Sequence, residues 1–175
     1  SKTVVYFFIL MDTTLGNKSR IYRSGYGYSK RRCESITNWF LNTFLPRHHI
    51  DVTVTHRGLI REDAMGFCDW IGTSYKPRDF EIQLQSNMNE RMYSETLLHE
   101  LVHLRQWVHG TLTMKSGKFV WKGNLVDHLD YMSQPHEIEA FREEGILYRR
   151  YMKEVYNVTV QEPTQYFPNR LTQSL

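Results

Sequence analysis

Residues 87–110, NMNERMYSETLLHELVHLRQWVHG, contain the feature that decides the fold of this chain. Asn87 followed by Glu90 resembles a capping box, which predicts that a helix begins near Met88. Gly110 is a typical residue for ending such a helix. The apolar stripe between these ends consists of Leu97, Leu101, Leu104 and Val108. The stretch therefore predicts one amphipathic helix that packs against a core.

Two histidines on this helix point to a metal site. His99 and His103 are four residues apart, so both imidazoles lie on one helix face and can bind a single ion. Glu100 is offset by about 100°, close enough to reach a metal-bound water without being a ligand itself. Zinc lowers the pKa of such a water to about 7, and a carboxylate can then take its proton. The alternative interpretation is a pair of surface histidines that only water contacts.

The HELVH segment and its surroundings resemble small gluzincin-type zincins. The upstream strand around Phe80 and the downstream segment from Pro135 to Ala140 follow the order of elements in uncharacterised phage-encoded peptidases, which are related in outline to SprT-like and ImmA/IrrE-like proteins. The resemblance covers about a third of the chain, and HExxH is its one strongly specific motif. It implies an α+β, zincin-like domain: a small twisted β-sheet packed on the HExxH helix, with a second helix that bears a ligand. The implied activity is zinc-dependent hydrolysis of peptide bonds.

Several residues compete to be the third zinc ligand. Glu137 fits the Glu-x-x-Ala segment by which gluzincins bring a carboxylate to the metal, and it is the preferred candidate. Glu139 would point about 160° away from Glu137 on the same helix. His109 stands where a metzincin has its last histidine, but that geometry needs a glycine where this chain has Gln106. His128 is a further alternative.

The resemblance also implies how a substrate binds. The strand from Phe80 to Gln85 alternates apolar and polar residues and would be the edge strand that pairs with an extended protein or peptide substrate. Tyr131 and His128 precede the ligand helix and are candidates for a transition-state donor. Phe141 replaces the acid or amide that orients a ligating histidine in the fuller gluzincin pattern, so that contact must come from elsewhere.

The remaining patterns complete a single domain over residues 1–156, followed by an irregular tail over residues 157–175. A short apolar run predicts a buried strand at residues 4–10, and alternation predicts a strand at residues 52–55. Helical spacing predicts a helix that ends before Pro46. Residues 58–79 carry breakers such as Gly66 and are expected to be irregular. Leu112 to Lys122 predicts a β-hairpin that turns at Ser116 and Gly117.

Composition limits the function classes. With 41% hydrophobic and 14% aromatic residues, the chain is expected to be globular. A net charge of +3 without a basic run gives no reason to expect a nucleic-acid partner. The absence of a signal or membrane segment predicts a cytoplasmic protein without a membrane partner, in a host cytoplasm or virion if it is phage-encoded. Cys33 and Cys68 are expected to be reduced. A catalytically silent zincin-fold binding or virion protein with a structural zinc is the alternative function.

Overall fold

The computed structural model describes residues 18–162. The strand predicted at residues 4–10 and the part of the tail beyond residue 162 lie outside them. The described helices are α1 (Lys30–Phe44), α2 (Glu90–His109) and α3 (Pro135–Tyr156). The strands are β1 (Arg20–Gly25), β2 (Asp51–Arg57), β3 (Gly66–Trp70), β4 (Asp79–Gln85), β5 (Leu112–Lys115), β6 (Lys118–Trp121) and β7 (Asn124–Leu125). The α+β class predicted from the sequence is confirmed.

The larger sheet has the strand order β1-β2-β4-β3, in which β1, β2 and β4 are parallel and β3 is antiparallel to β4. Successive residues of a strand point to opposite faces, so the apolar members of β2 and β4 lie on one face. They are fully buried: Val52, Val54, Phe80, Ile82 and Leu84. Because the alternate residues of β2 and β4, such as Thr53 and Gln83, are more exposed and polar, the core and the helices lie on one side of this sheet.

Two predictions about this sheet are wrong. Residues 58–79 were expected to be irregular, but β3 forms within them and pairs with β4. The strand from Phe80 to Gln85 was expected to be an edge, but β4 pairs with β2 on one side and with β3 on the other. Both edges of β4 are therefore occupied, and it cannot pair with a peptide. Among the described strands, β3 is the edge next to α2.

The helix ends follow local capping. α2 begins two residues later than predicted, since Asn89 and not Asn87 is its N-cap and accepts a hydrogen bond from the Met92 N–H. Asn87 instead has a positive φ of 62° and donates its backbone N–H to Gly27. At the other end, Gly110 adopts a left-handed conformation with a φ of 72°, as its position predicted.

The smaller sheet has the order β5-β6-β7 and lies beside the C-terminal half of α2. Its first hairpin turns at Ser116 and Gly117, which both have positive φ, and this confirms the predicted turn. Cys33 and Cys68 are both free, as expected. None of the described helices is both long enough and apolar enough to cross a membrane.

Candidate metal centre

Three side chains from two helices converge on one point. His99 and His103 extend from α2, and Glu137 extends from the first turn of α3. The Nε2 atoms of the two histidines are 3.2 Å apart. Glu137 lies 3.2 Å from His99 Nε2 through Oε2 and 3.3 Å from His103 Nε2 through Oε1. This group can hold a metal ion, because one ligand atom from each residue lies within 4.8 Å of the others.

The outer nitrogen of each histidine has its own partner. His99 Nδ1 lies 2.9 Å from Oε2 of Glu144, and His103 Nδ1 lies 2.8 Å from Oε1 of Gln106. A carboxylate can only accept a hydrogen bond, and an amide oxygen likewise, so both Nδ1 atoms carry the proton. The Nε2 atoms then face the centre of the group, where an ion can take the place of a proton. Such outer partners fix the ring orientation and raise the basicity of ligating histidines.

The group is electrostatically matched to a cation. Burial lowers the pKa of His99, but hydrogen bonds with Glu137 and Glu144 outweigh that effect and raise the pKa to about 9. Burial raises the pKa of Glu137, but hydrogen bonds with His103 and His99 outweigh it and hold the pKa far below its usual value. The carboxylate is therefore ionised, and positive charge is favoured between these residues.

Glu100 lies beside the group without joining it. The carboxylate is only 6% exposed and borders the same cleft as both histidines. It lies against Gly66 of β3, where an added Cβ would be 2.8 Å from Glu100 Oε1. Burial raises the pKa of the neighbouring Cys68 thiol, and the charge of Glu100 raises it further. Glu100 therefore lies between β3, the edge strand of the sheet, and the candidate metal centre.

The cleft that contains the group has a volume of about 1170 Å³. One wall is β3 and the turn before it, and the floor is α2. The opposite wall is formed by residues 130–134 and the start of α3. A cavity of this size can accommodate several residues of an extended peptide.

The other candidates from the sequence lie in different places. The Tyr131 hydroxyl donates a 2.9 Å hydrogen bond to Glu137 Oε2 at the edge of the cleft. Glu139 lies outside the group, accepts a hydrogen bond from Gln106 and forms an ion pair with Arg105. His109 is the last residue of an unbroken α2, 6.0 Å from the ring of His48. His128 is exposed and does not border the cleft.

Sequence reasoning missed some residues of the site. Glu144 and Gln106 hold the histidines, and Phe141, which stands where an orienting acid was expected, packs its ring 4.5 Å from that of His99. His136 borders the cleft and is only 4% exposed, yet its Nδ1 atom has no hydrogen-bond partner among the described residues. Glu144 is seven residues after Glu137, two helical turns along the same face of α3, and that spacing was the available signal.

Comparison with protein-family models, with curated proteins and with solved structures finds no match for this chain.

Proposed function

We propose that this chain is a zinc-dependent peptidase with a zincin-like, gluzincin-type site. His99, His103 and Glu137 are the proposed ligands, and Glu100 is the proposed general base. The observation that carries the proposal is the convergence of two imidazoles and a carboxylate beside a further carboxylate in an open cleft. A structural site has four protein ligands, whereas a catalytic zinc site has three and keeps one position open.

The ligand separations fit zinc. In a tetrahedral site with metal–ligand distances of about 2.0–2.1 Å, neighbouring ligand atoms are about 3.3 Å apart. The two Nε2 atoms are 3.2 Å apart, and each lies a similar distance from one Glu137 oxygen, His99 from Oε2 at 3.2 Å and His103 from Oε1 at 3.3 Å. Two imidazoles and one carboxylate are also a donor set that zinc accepts in catalytic sites. The chemistry of the residues therefore supports zinc rather than a cation that prefers oxygen ligands.

The residues around this position have separable roles. A zinc ion held there would supply Lewis acidity, which polarises a carbonyl and lowers the pKa of a water to near neutral. Glu100, buried at the cleft and outside the ligand group, can accept the proton of that water and pass it to the leaving amine. Glu144 and Gln106 keep the two imidazoles in the ligating tautomer.

Tyr131 is the proposed transition-state donor. Its hydroxyl donates to Glu137 at the cleft, and by turning its single O–H from Glu137 to the substrate it can donate a hydrogen bond to negative charge that develops there. Burial, together with the charge of Glu137, raises its pKa, which keeps the hydroxyl protonated.

The proposed substrate is an extended peptide that pairs with β3, not with β4 as the sequence predicted. Met65 and Ile71 bond to β4 through their backbone, so by alternation the backbone groups of Gly66, Cys68 and Trp70 face away from β4. Those groups border the cleft. A peptide that adds a strand there would pass over Glu100 and the metal group.

The decisive experiment combines metal analysis with a cleavage screen. We expect purified wild type to hold one zinc per chain and to cleave casein or members of a mixed peptide library. Glu100→Gln should keep the zinc and lose about 10²–10⁴-fold of the cleavage rate, which is the usual contribution of a general base. Glu137→Gln should lose zinc, and Glu139→Gln, on the same helix, should retain it.

Two results would contradict the proposal. Zinc loss in Glu139→Gln with retention in Glu137→Gln would reject the ligand assignment. Wild type and Glu100→Gln that both hold zinc and are equally inert across the library would favour the alternative, a zincin-shaped binding or virion protein in which zinc joins two helices.

A further inference from the structure

The charge of the cleft differs from that of the chain. The sequence has 22 Lys and Arg residues against 19 Asp and Glu residues. Among the described residues that border the cleft, however, there is no Lys or Arg. The acidic residues that border it are Glu62, Asp63, Asp69, Glu100, Asp130 and Glu137. A cleft lined by one sign of charge concentrates ligands of the opposite sign.

Three of these six acidic side chains already have another role or an ion-pair partner. Glu100 and Glu137 belong to the metal centre, and Glu62 forms an ion pair with Arg57 at 3.1 Å. Asp63, Asp69 and Asp130 are exposed, and in the described part of the chain no Lys or Arg forms an ion pair with them. Asp69 even lies directly opposite Glu81 across the β3–β4 pair, an arrangement of like charges that destabilises a sheet. A cationic ligand would relieve it.

The three aspartates have a definite arrangement about the metal centre. Gly66 is the residue of β3 that lies against the Glu100 side chain. Asp69 is three residues after Gly66 along β3, about 10 Å in an extended strand, and Asp63 lies in the turn that precedes β3. Asp130 lies on the opposite wall, next to Tyr131. Negative charge therefore borders the cleft at the turn before β3, along the β3 edge and at the segment before α3.

The rest of the cleft suits long cationic side chains. Trp70 and Trp107 lie with ring centroids 4.5 Å apart, and Phe119 lies 6.1 Å from Trp107. Aromatic faces bind Lys and Arg through cation–π contacts, and the aliphatic stems of those residues pack on apolar walls. The buried Nδ1 atom of His136 has no partner among the described residues, and it too points to a ligand in this cleft.

We propose that the cleft selects a cationic peptide segment with Lys or Arg on each side of the position over Glu100. The placement of the scissile bond at this position rests on the proposed function. The preference for a cationic segment does not depend on it. Attraction between exposed charges is screened by salt, so the preference should be strongest at low ionic strength.

The test uses zinc-loaded Glu100→Gln protein, which should bind peptides without cleaving them. Three fluorescent peptides differ only at two positions six residues apart, which carry Lys, Gln or Glu, and binding is measured by anisotropy. We expect the Lys peptide to bind more tightly than the Gln peptide by about two- to fivefold for each carboxylate engaged, with the Glu peptide weakest. High salt should reduce the difference.

Substitution of the aspartates tests whether they cause the preference for the Lys peptide. In the Asp63→Asn/Asp69→Asn double variant the ratio of the Lys to the Gln affinity should fall toward one. Glu34→Gln/Asp79→Asn removes the same charge from residues that do not border the cleft and should keep the ratio. Equal affinities for the three peptides, or a ratio that only the control pair lowers, would overturn the inference.

The two proposals fail in different ways. If wild type cleaves neutral peptides as well as basic ones, the peptidase proposal stands and the charge preference is wrong. If basic peptides bind preferentially and wild type cleaves none of them, the cationic site stands and the peptidase proposal is wrong.

Discussion

Gly66 leaves the space that the Glu100 carboxylate occupies. An alanine Cβ there would lie 2.8 Å from Glu100 Oε1, 3.1 Å from its Cγ and 3.1 Å from Leu84 Cδ2. The Glu100 side chain would have to move, because the Leu84 side chain is fully buried. A displacement of about 1 Å at a catalytic group can cost about 10²-fold in rate. We therefore expect Gly66→Ala to lower kcat by about ten- to a hundredfold with unchanged zinc content.

The matched control for this prediction is Gly58→Ala. A Cβ at Gly58 would meet nothing closer than the Tyr26 hydroxyl at 3.8 Å, so cleavage should remain near the wild-type rate. Equal rates for Gly66→Ala and wild type would show that Glu100 does not depend on the space beside β3.

The residues that the sequence could locate are those that one helix brings together. His99 and His103 are close because of their spacing alone, and α2 places them as that spacing predicted. His136 could not be found in this way. Its significance comes from the smaller sheet, whose Phe119 and Trp121 rings lie 5.5 and 6.4 Å from its ring. The sequence around His136 does not indicate that the smaller sheet packs against this residue.

At the scale of elements, alternation along a strand identifies its faces but not its place in the sheet. β4 has one polar face because no described helix covers that side of the sheet, and the same pattern would arise at an edge or in the middle. β3 was missed for a related reason. Phe67 is apolar but points outward, opposite to Cys68 and Trp70, so the alternation of apolar and polar residues is broken.

The His56 ring connects β2, β1 and α2, and it predicts how stability depends on pH. Its Nδ1 donates to the Ser24 carbonyl at 2.8 Å, and its Nε2 accepts from the Tyr93 hydroxyl at 2.8 Å. Burial lowers its pKa below the 6.5 of an exposed histidine. Below about pH 6.5 the unfolded chain therefore binds more protons than the folded chain. The stabilisation is complete above that pH and is lost as the pH falls toward the lower, folded-state pKa.

We expect the contribution of His56 to the free energy of unfolding, measured by urea denaturation with a chelator present, to decrease from pH 7.5 to pH 5.5, whereas His99, whose pKa is raised to about 9, contributes in the opposite direction. His56→Gln should be less stable at both pH values but should show a smaller decrease. Part of the decrease should remain, because burial also lowers the pKa of His48, His109 and His136. The control is His128→Gln, since that side chain is exposed. An equal decrease in His56→Gln and wild type would exclude His56 as a source.

At the scale of the whole molecule, the metal group joins two helices that are far apart in sequence. His99 and His103 belong to α2 and Glu137 to α3, and α2 also packs against α1 and the larger sheet. An ion held by all three side chains binds the folded chain and not the unfolded one. Such binding stabilises a fold by about 2.7 kcal/mol when the free ion is at a hundred times its Kd.

Under the proposed function, removal of zinc should therefore lower the melting temperature of the whole domain in one transition. For a chain of this size, each kcal/mol corresponds to about 2–4 °C, so about 2.7 kcal/mol predicts a difference of about 5–11 °C between zinc-loaded and chelated protein. Calorimetry of His103→Ala should show no such difference, because a ligand is missing. His109→Ala, on the same helix but outside the group, should keep it. If His103→Ala kept the full difference and His109→Ala lost it, zinc would join the elements of this fold at another place, and the assignment of the centre to α2 and α3 would be wrong.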